Sequence, residues 1–331
     1  MSLLISLIRE MFSNKSTSDE IKAIQLLSSA DEASLASKRK VLNVGGNSKL
    51  KKLADLILKH EESLSFTILE IGAVPLGGEP EPFYQLLDLF PKSQIIAFEV
   101  DKDLCEKLNN KSRPDIRFYA TALGRTEETR AFYETRHPMC CSLYKPNEKL
   151  LCLYNNFEVA YLKSVESVET VSLDHFAKQN NIESVDFIKI DIQGAELDVF
   201  QGGLSVLNQI VAMVCEVEFI PLYIGQPLFG DICSYLNKED IMFHKFLGLA
   251  GRALSPIAVN NDPNFPTQHI WSDAVFIRDI FKIPELSSHK LLKLGMLAQL
   301  YGSPDLTYHC FQHYDKLNGT DLKKDYSSIY F

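Results

Sequence analysis

The sequence predicts an α/β fold: a doubly wound, mostly parallel sheet with an antiparallel last strand. Three stretches carry that prediction. Thr67–Ile71, Ser93–Val100 and Val185–Ile190 are near-continuous apolar runs of strand length, as strands buried on both faces require, and each leads toward a segment of helical period. Two late runs, Met242–Leu249 and Trp271–Ile277, have no long helix between them, which predicts an antiparallel pair closing the sheet.

The first of these strands sits in Phe66–Phe83, FTILEIGAVPLGGEPEPF, where it runs into a turn holding Gly72, Gly77 and Gly78 and then into a helix opened by Pro82. A strand, a turn free of bulky side chains and a helix N-terminus let backbone N–H groups approach a polar or anionic ligand closely. Glu70 stands two residues before Gly72, and the G-x-G-x-x-G run that receives a pyrophosphate is missing. Glu99 ends the second strand, 27 residues beyond Gly72, where a carboxylate can accept hydrogen bonds from both ribose hydroxyls. A ribose-binding acid without a pyrophosphate signature favours S-adenosylmethionine over NAD. The competing reading takes these as ordinary loop glycines.

Composition narrows the function classes. With 331 residues the chain fits one large α/β domain with additions, or two domains; 46% hydrophobic and 23% charged content is ordinary for a globular protein. A net charge of −9 and a pI near 5.5 argue against nucleic acid as the main partner, although Lys38, Arg39, Lys40, Lys49, Lys51 and Lys52 lie close together. Seven scattered cysteines without a C-x-x-C pair read as reduced thiols of a cytoplasmic protein; adjacent Cys140 and Cys141 read as packing, and no zinc is assigned. The opening MSLLISLIREMF is too short for a membrane span and lacks a small-residue cleavage site, so it reads as a surface or docking helix.

Residues 1–36 show helical spacing, with Asp19 available as a cap, and Val41–Val44 followed by Gly45–Gly46 reads as a short lead-in strand. Ser48 is expected to cap a helix whose Leu50, Leu53, Ala54 and Ile57 pack on the sheet, and Phe83, Leu86, Leu87 and Phe90 repeat that spacing before Pro91. Asp101–Asn110 reads as a short helix and Ile116–Ala120 as a strand, leading into a turn at Thr121–Gly124 that is placed to cover an adenine ring. Residues 125–172 read as an irregular insertion at the ligand edge and a source of substrate contacts, with His137 the tempting base and a surface histidine the plainer reading.

In VDFIKIDIQGAELDVFQGG, residues 185–203, Lys189 and Asp191 share one face of a buried strand, so both must be paired or solvated; a structural ion pair is the competing reading. Glu196 falls in the first turn of the following helix, where a negative charge suits the dipole. Ile210–Val217 is a further strand, with Glu216 and Glu218 at its end; the two acids can take a proton, orient a hydroxyl or hold a divalent ion, and the support for a metal is weak. Phe229, Ile232, Cys233 and Leu236 mark another helix. Residues 282–331 return to helical spacing, with Leu291, Leu294, Ala298 and Tyr301 on one side.

These residues resemble the FkbM-type S-adenosylmethionine-dependent methyltransferases. The most specific match is DFIKIDIQGAELDVFQGG (186–203), supported by VSLDHF (171–176), AFEVD (97–101) and SDAVFIR (272–278). The resemblance covers about residues 62–280 and implies a Rossmann-like class I sheet of about seven strands and O-methylation of a hydroxyl on a sugar or polyketide-like natural product. It implies that Glu70 and Gly72 form the methionine-side loop, Glu99 clamps the ribose and Asp191 lies beside the sulfonium. Ser142 matches a serine of the family's serine–leucine motif, and Cys141 departs from it. Gln193 departs too, standing where the family usually has an acid, and the loop Ala73–Glu81 is longer than usual.

The expectation is therefore an O-methyltransferase domain at 61–280, between an N-terminal lead-in (1–60) and a C-terminal helical appendage (281–331). Its cofactor site is expected to comprise Glu70, Gly72, Ala73, Glu99, Val100, Ala122, Leu123 and Asp191, its catalytic groups Asp191, Glu216 and Lys189, and its substrate contacts Ser142 and His137. The expected partner is a small-molecule or glycan hydroxyl acceptor, with the terminal helices offering surfaces for a homo-oligomer. Two rivals remain at this point: an NAD-dependent sugar-modifying enzyme, and a non-catalytic methyltransferase-like interaction module.

Overall fold

The computed structural model describes residues 46–73 and 81–331. The expected helices of 1–36, the lead-in strand at 41–44, the basic residues 38–40 and residues 74–80 of the glycine-rich loop lie outside the described residues.

In chain order the strands are β1 (Thr67–Ile71), β2 (Gln94–Glu99), β3 (Ile116–Ala120), β4 (Ala122–Gly124), β5 (Glu128–Thr135), β6 (Leu162–Ser172), β7 (Phe187–Ile190), β8 (Ala212–Glu218), β9 (Ile241–Phe246), β10 (Ala250–Arg252) and β11 (Gln268–Arg278). Eight of them form one sheet in the order β3-β2-β1-β7-β8-β11, with β9 and β10 both pairing β11. The five strands from β3 to β8 are parallel. β11 runs antiparallel to β8, and β9 and β10 antiparallel to β11. This is the Rossmann-like methyltransferase arrangement the sequence predicts. Strand order reverses between β1 and β7, and at such a switch point the loops leaving the carboxyl ends diverge and open a crevice.

Alternation along the strands divides the core into two layers. Ile68, Phe187, Val214 and Val275 face one side, where they meet α1 (Gly46–His60), the 3₁₀ turn Pro82–Tyr84 with α2 (Gln85–Leu89), and the C-terminal helices. Leu69, Ile71, Ile188, Ile190 and Met213 face the other. That side is covered by helices following β6, β7 and β8. Between the layers' first strands, α3 (Lys102–Asn109) joins β2 to β3, and Asp101 caps it by accepting from the Leu104 N–H at 2.9 Å. The covering helices are α4 (Leu173–Gln179), α5 (Glu196–Gln201) and α6 (Phe229–Leu236). Leu53, Ala54 and Ile57 are buried from α1 as their spacing requires, but Ser48 lies inside that helix and does not cap it. Phe83, Leu86, Leu87 and Phe90 are buried around α2.

The C-terminal helices α7 (Ser288–Leu300), α8 (Pro304–Asn318) and α9 (Leu322–Tyr330) share the first core layer with the sheet. Leu291, Leu292 and every residue from Leu294 to Leu300 are buried, so α7 is enclosed nearly all round. A Cβ on Gly295 would stand 2.6 Å from the Phe311 ring, which is why α7 and α8 approach so closely there.

Two further expectations are corrected. Thr121–Gly124 is not a free turn: Ala122–Gly124 is β4, paired with Thr170–Ser172 of β6. Residues 125–172 are irregular only in part: β5 and β6 form a long antiparallel pair in a separate three-stranded sheet, and residues 136–161 between them are turns and one-turn helices. Most of this pair is exposed or half-buried, so its alternation is carried by Glu, Ser, Thr and Val, and the apolar period that reveals a buried strand is absent.

Candidate functional site

The carboxyl ends of β1, β2, β7 and β8 hold a cluster of acids around one lysine. Register explains it: Glu70 on β1 pairs with Lys189 on β7, while Ile190 pairs with Cys215 and so sets Asp191 beside Glu216. Glu216 in turn pairs with Asp273 on β11. All five side chains therefore project from one face of the sheet in two adjacent rows.

Lys189 is buried, and its ammonium lies 3.0 Å from Asp273 Oδ1 and 3.6 Å from Asp191 Oδ2. Burial works against its charge, but Asp273 and Asp191 more than offset that and hold its pKa well above the ordinary value. Asp191 is the accessible member, its side chain 32% exposed against 7% for Lys189. Glu70 receives a hydrogen bond from the Tyr84 hydroxyl at 2.5 Å, and burial pushes its carboxyl up to about 7.

Gly72 links the two loops. Its N–H and that of Ala73 donate to the Phe98 carbonyl at 3.1 and 3.0 Å, while the Asp191 N–H donates to Ile71 at 2.9 Å. Gly72 has φ +84°, and a Cβ there would stand 1.9 Å from the Asp191 carbonyl oxygen. The glycine is thus required by backbone contact as well as by conformation.

Gln193 is the hub of the β7 loop, in the left-handed region at φ 58°. Its side-chain Nε2 donates to Asp191 Oδ1 at 2.8 Å and to Glu216 Oε2 at 2.5 Å, and its Oε1 accepts from the Tyr223 hydroxyl at 3.1 Å. An acid in this place would offer no donor to either carboxylate. Burial first, then the adjacent Asp191 charge, raises the Glu216 carboxyl well above its usual range. Glu218 is raised likewise by burial and then by Glu196. Glu196 stands in the first turn of α5 as expected, and its Oε1 also accepts from the Ile192 and Gly194 N–H groups at 2.9 and 3.3 Å, closing the turn that carries Gln193, while burial lifts it to about 7.

At β2, Glu99 is buried and its Oε1 accepts from the Val100 and Asp101 N–H groups at 2.8 and 3.1 Å. That fixes the carboxylate and leaves Oε2 for a ligand; burial raises its pKa against those two N–H groups. Val100 is 39% exposed at the strand end. Ala122 and Leu123 are buried in β4, and Leu123 packs with Phe98 and Phe176 in the second core layer. Ser142 is buried: its hydroxyl donates to the Gln193 carbonyl at 2.7 Å and accepts from the Tyr144 N–H at 2.9 Å, so it ties the segment after β5 to the β7 loop. His137 is buried beside the turn Pro138–Cys140, where its Nδ1 accepts from the Met139 N–H at 3.3 Å and burial lowers its pKa. The Cys140 carbonyl of that turn accepts from Tyr223 at 2.9 Å.

Sequence reasoning passed over Tyr84 and Asp273. Asp273 carried a signal, a lone acid within the apolar run WSDAVFI. Among the described residues no group of three or more His, Cys, Asp or Glu side chains is arranged to hold a metal, and no helix is long and apolar enough to cross a membrane. The site nonetheless fits S-adenosylmethionine: one lysine faces an excess of acids, which suits a cationic ligand, and Glu99 offers a fixed acceptor to a ribose.

Solved structures with some likeness include the 23S rRNA methyltransferase ErmE, at 12% identity and TM-score 0.30 over 80% of this chain and 97% of that one. A complex of LepI with SAM matches at 8% identity and TM-score 0.28, covering 68% and 46% of the two chains. A curated relative, 2-O-methyltransferase NoeI of Sinorhizobium fredii (strain NBRC 101917 / NGR234), is 27% identical over 196 residues, 56% of this chain and 77% of its own. The family model for the methyltransferase FkbM domain matches residues 70–241, just over half of the chain and all of the acid–lysine cluster except Asp273. The chain belongs to the FkbM methyltransferase family and is an S-adenosylmethionine-dependent methyltransferase.

Proposed function

We propose that this methyltransferase acts on oxygen, at a hydroxyl of a sugar, glycan or related natural product. The observation that carries this reading is the Asp191–Glu216 pair held by Gln193 at the mouth of the switch point. Bound S-adenosylmethionine supplies an electrophilic methyl group on sulfur. The chain's own task is to hold the acceptor oxygen in line with it and to receive the hydroxyl proton. Asp191 is the base: it is the exposed member, and Lys189 and Gln193 fix one oxygen each. Burial and the adjacent Asp191 charge disfavour the charged form of Glu216, which works against a second negative charge there. Glu99 and the Gly72–Ala73 turn hold the nucleoside and methionine portions. The name of the relative NoeI, a 2-O-methyltransferase, agrees with an oxygen acceptor.

The test is methyl transfer from S-adenosylmethionine to a panel of hydroxylated sugars, glycans and natural products, run beside amine and thiol acceptors. Transfer to a hydroxyl that disappears in Asp191→Ala is the expected result. Transfer only to nitrogen or sulfur sinks the reading, and full activity in Asp191→Ala removes that residue from the mechanism.

A further inference from the structure

Tyr301 lies outside the matched family domain, at the C-terminal cap of α7, and is 2% exposed. Its ring stacks on Phe187 of β7, with centroids 5.6 Å apart and planes 25° from parallel. Phe187 and Lys189 stand two residues apart on one strand, so they share a face. The stack therefore sets the phenol against the face of β7 that carries Lys189. There its hydroxyl feels the charges of Glu81, Lys189, Asp273 and Glu70. Yet among the described residues this buried hydroxyl has no hydrogen-bond partner. An orphaned buried hydroxyl carries a desolvation penalty, and natural proteins keep few of them without a missing partner.

That partner has a definable chemistry. The acids around Tyr301 outnumber the one lysine, which is already engaged by Asp273 and Asp191. A cationic group with several N–H donors answers both needs, since it can donate to the carboxylates and to the phenol oxygen together. We propose that Tyr301 is a positioning residue for the amino-acid end of S-adenosylmethionine, its hydroxyl accepting from the ligand's ammonium. The C-terminal helices thereby complete the cofactor site. This inference rests on the cofactor reading given above.

The experiment is calorimetric titration of S-adenosylhomocysteine, which has the amino-acid end, and of 5′-methylthioadenosine, which lacks it, into the full chain and into Tyr301→Phe. The variant keeps the ring stack and loses only an unpartnered hydroxyl, so its melting temperature should be unchanged or raised. The expected result is about tenfold weaker S-adenosylhomocysteine binding, the worth of one charge-assisted hydrogen bond, with methylthioadenosine unaffected. Unchanged binding of both ligands, or equal weakening of both, overturns the role of Tyr301. Failure of the unmodified chain to bind either ligand overturns the cofactor reading itself, and so is distinguishable from failure of this inference.

Discussion

The side-chain amide of Gln193 donates to Glu216 at 2.5 Å while donating to Asp191 at 2.8 Å, so one neutral group holds two acids from neighbouring strands in contact. Its own orientation is set by Tyr223 on the amide oxygen. Gln193→Ala removes the clamp and leaves the strands in place. The expected outcome is a fall in kcat of about 10- to 100-fold with a much smaller change in cofactor affinity, read from steady-state kinetics beside titration. An unchanged kcat refutes the clamp.

Gly72→Ala tests the contact between the β1 and β7 loops. A methyl group would meet the Asp191 carbonyl 1.9 Å away at a residue whose φ is +84°. Backbone on both sides cannot retreat without parting β1 from β7, so a loss of about 3 kcal/mol or more is expected in denaturant unfolding. A loss below 1 kcal/mol, on the scale of ordinary surface substitutions, contradicts the close approach.

Lys189→Met leaves Asp273 and Asp191 facing each other without a cation. Because Lys189 and Asp273 are both largely buried, with side chains 7% and 12% exposed, the expected cost is about 3–5 kcal/mol. Adding Asp273→Asn should restore part of it. A double-mutant cycle that shows simple additivity removes the pair as a unit.

The proposed place of Glu70 in the cofactor site predicts a pH dependence of binding. Its carboxyl is held near 7 by burial, so it is protonated below that pH and charged above it. A cationic ligand favours the charged form. Affinity for S-adenosylmethionine should therefore rise between pH 6 and 8, approaching tenfold per unit on the acid side, and this component should vanish in Glu70→Gln. For folding the sign is opposite: the raised pKa stabilises the native state below the ordinary carboxylate range, and that contribution is lost as pH climbs through about 7. Identical pH profiles for the two proteins, measured by titration, exclude Glu70 as the titrating group.

The parallel core and its acidic strand ends were legible in the sequence because burial on both faces leaves a run such as FIKI or QIIAFE with few polar positions, each of which needs a partner. Lys189 and Asp191 stood out for that reason, Glu70 and Glu99 by their spacing from Gly72 and Glu216 by its place at a strand end, and the missing G-x-G-x-x-G directed the cofactor reading. The β5–β6 pair was hidden because an exposed ladder needs no apolar period.

What only the tertiary structure decided is pairing between distant segments. Register across β7, β8 and β11 is set by side chains packing on both layers, and it brings Asp273 to Lys189 across 84 positions of sequence. Packing of α7 against β7 brings Tyr301 onto Phe187, on the face of β7 that carries Lys189. The sequence by itself determined which groups had to be paired, since local burial follows from local composition. The fold decided their partners, because hydrogen bonds and ion pairs depend on distances that a linear order does not contain.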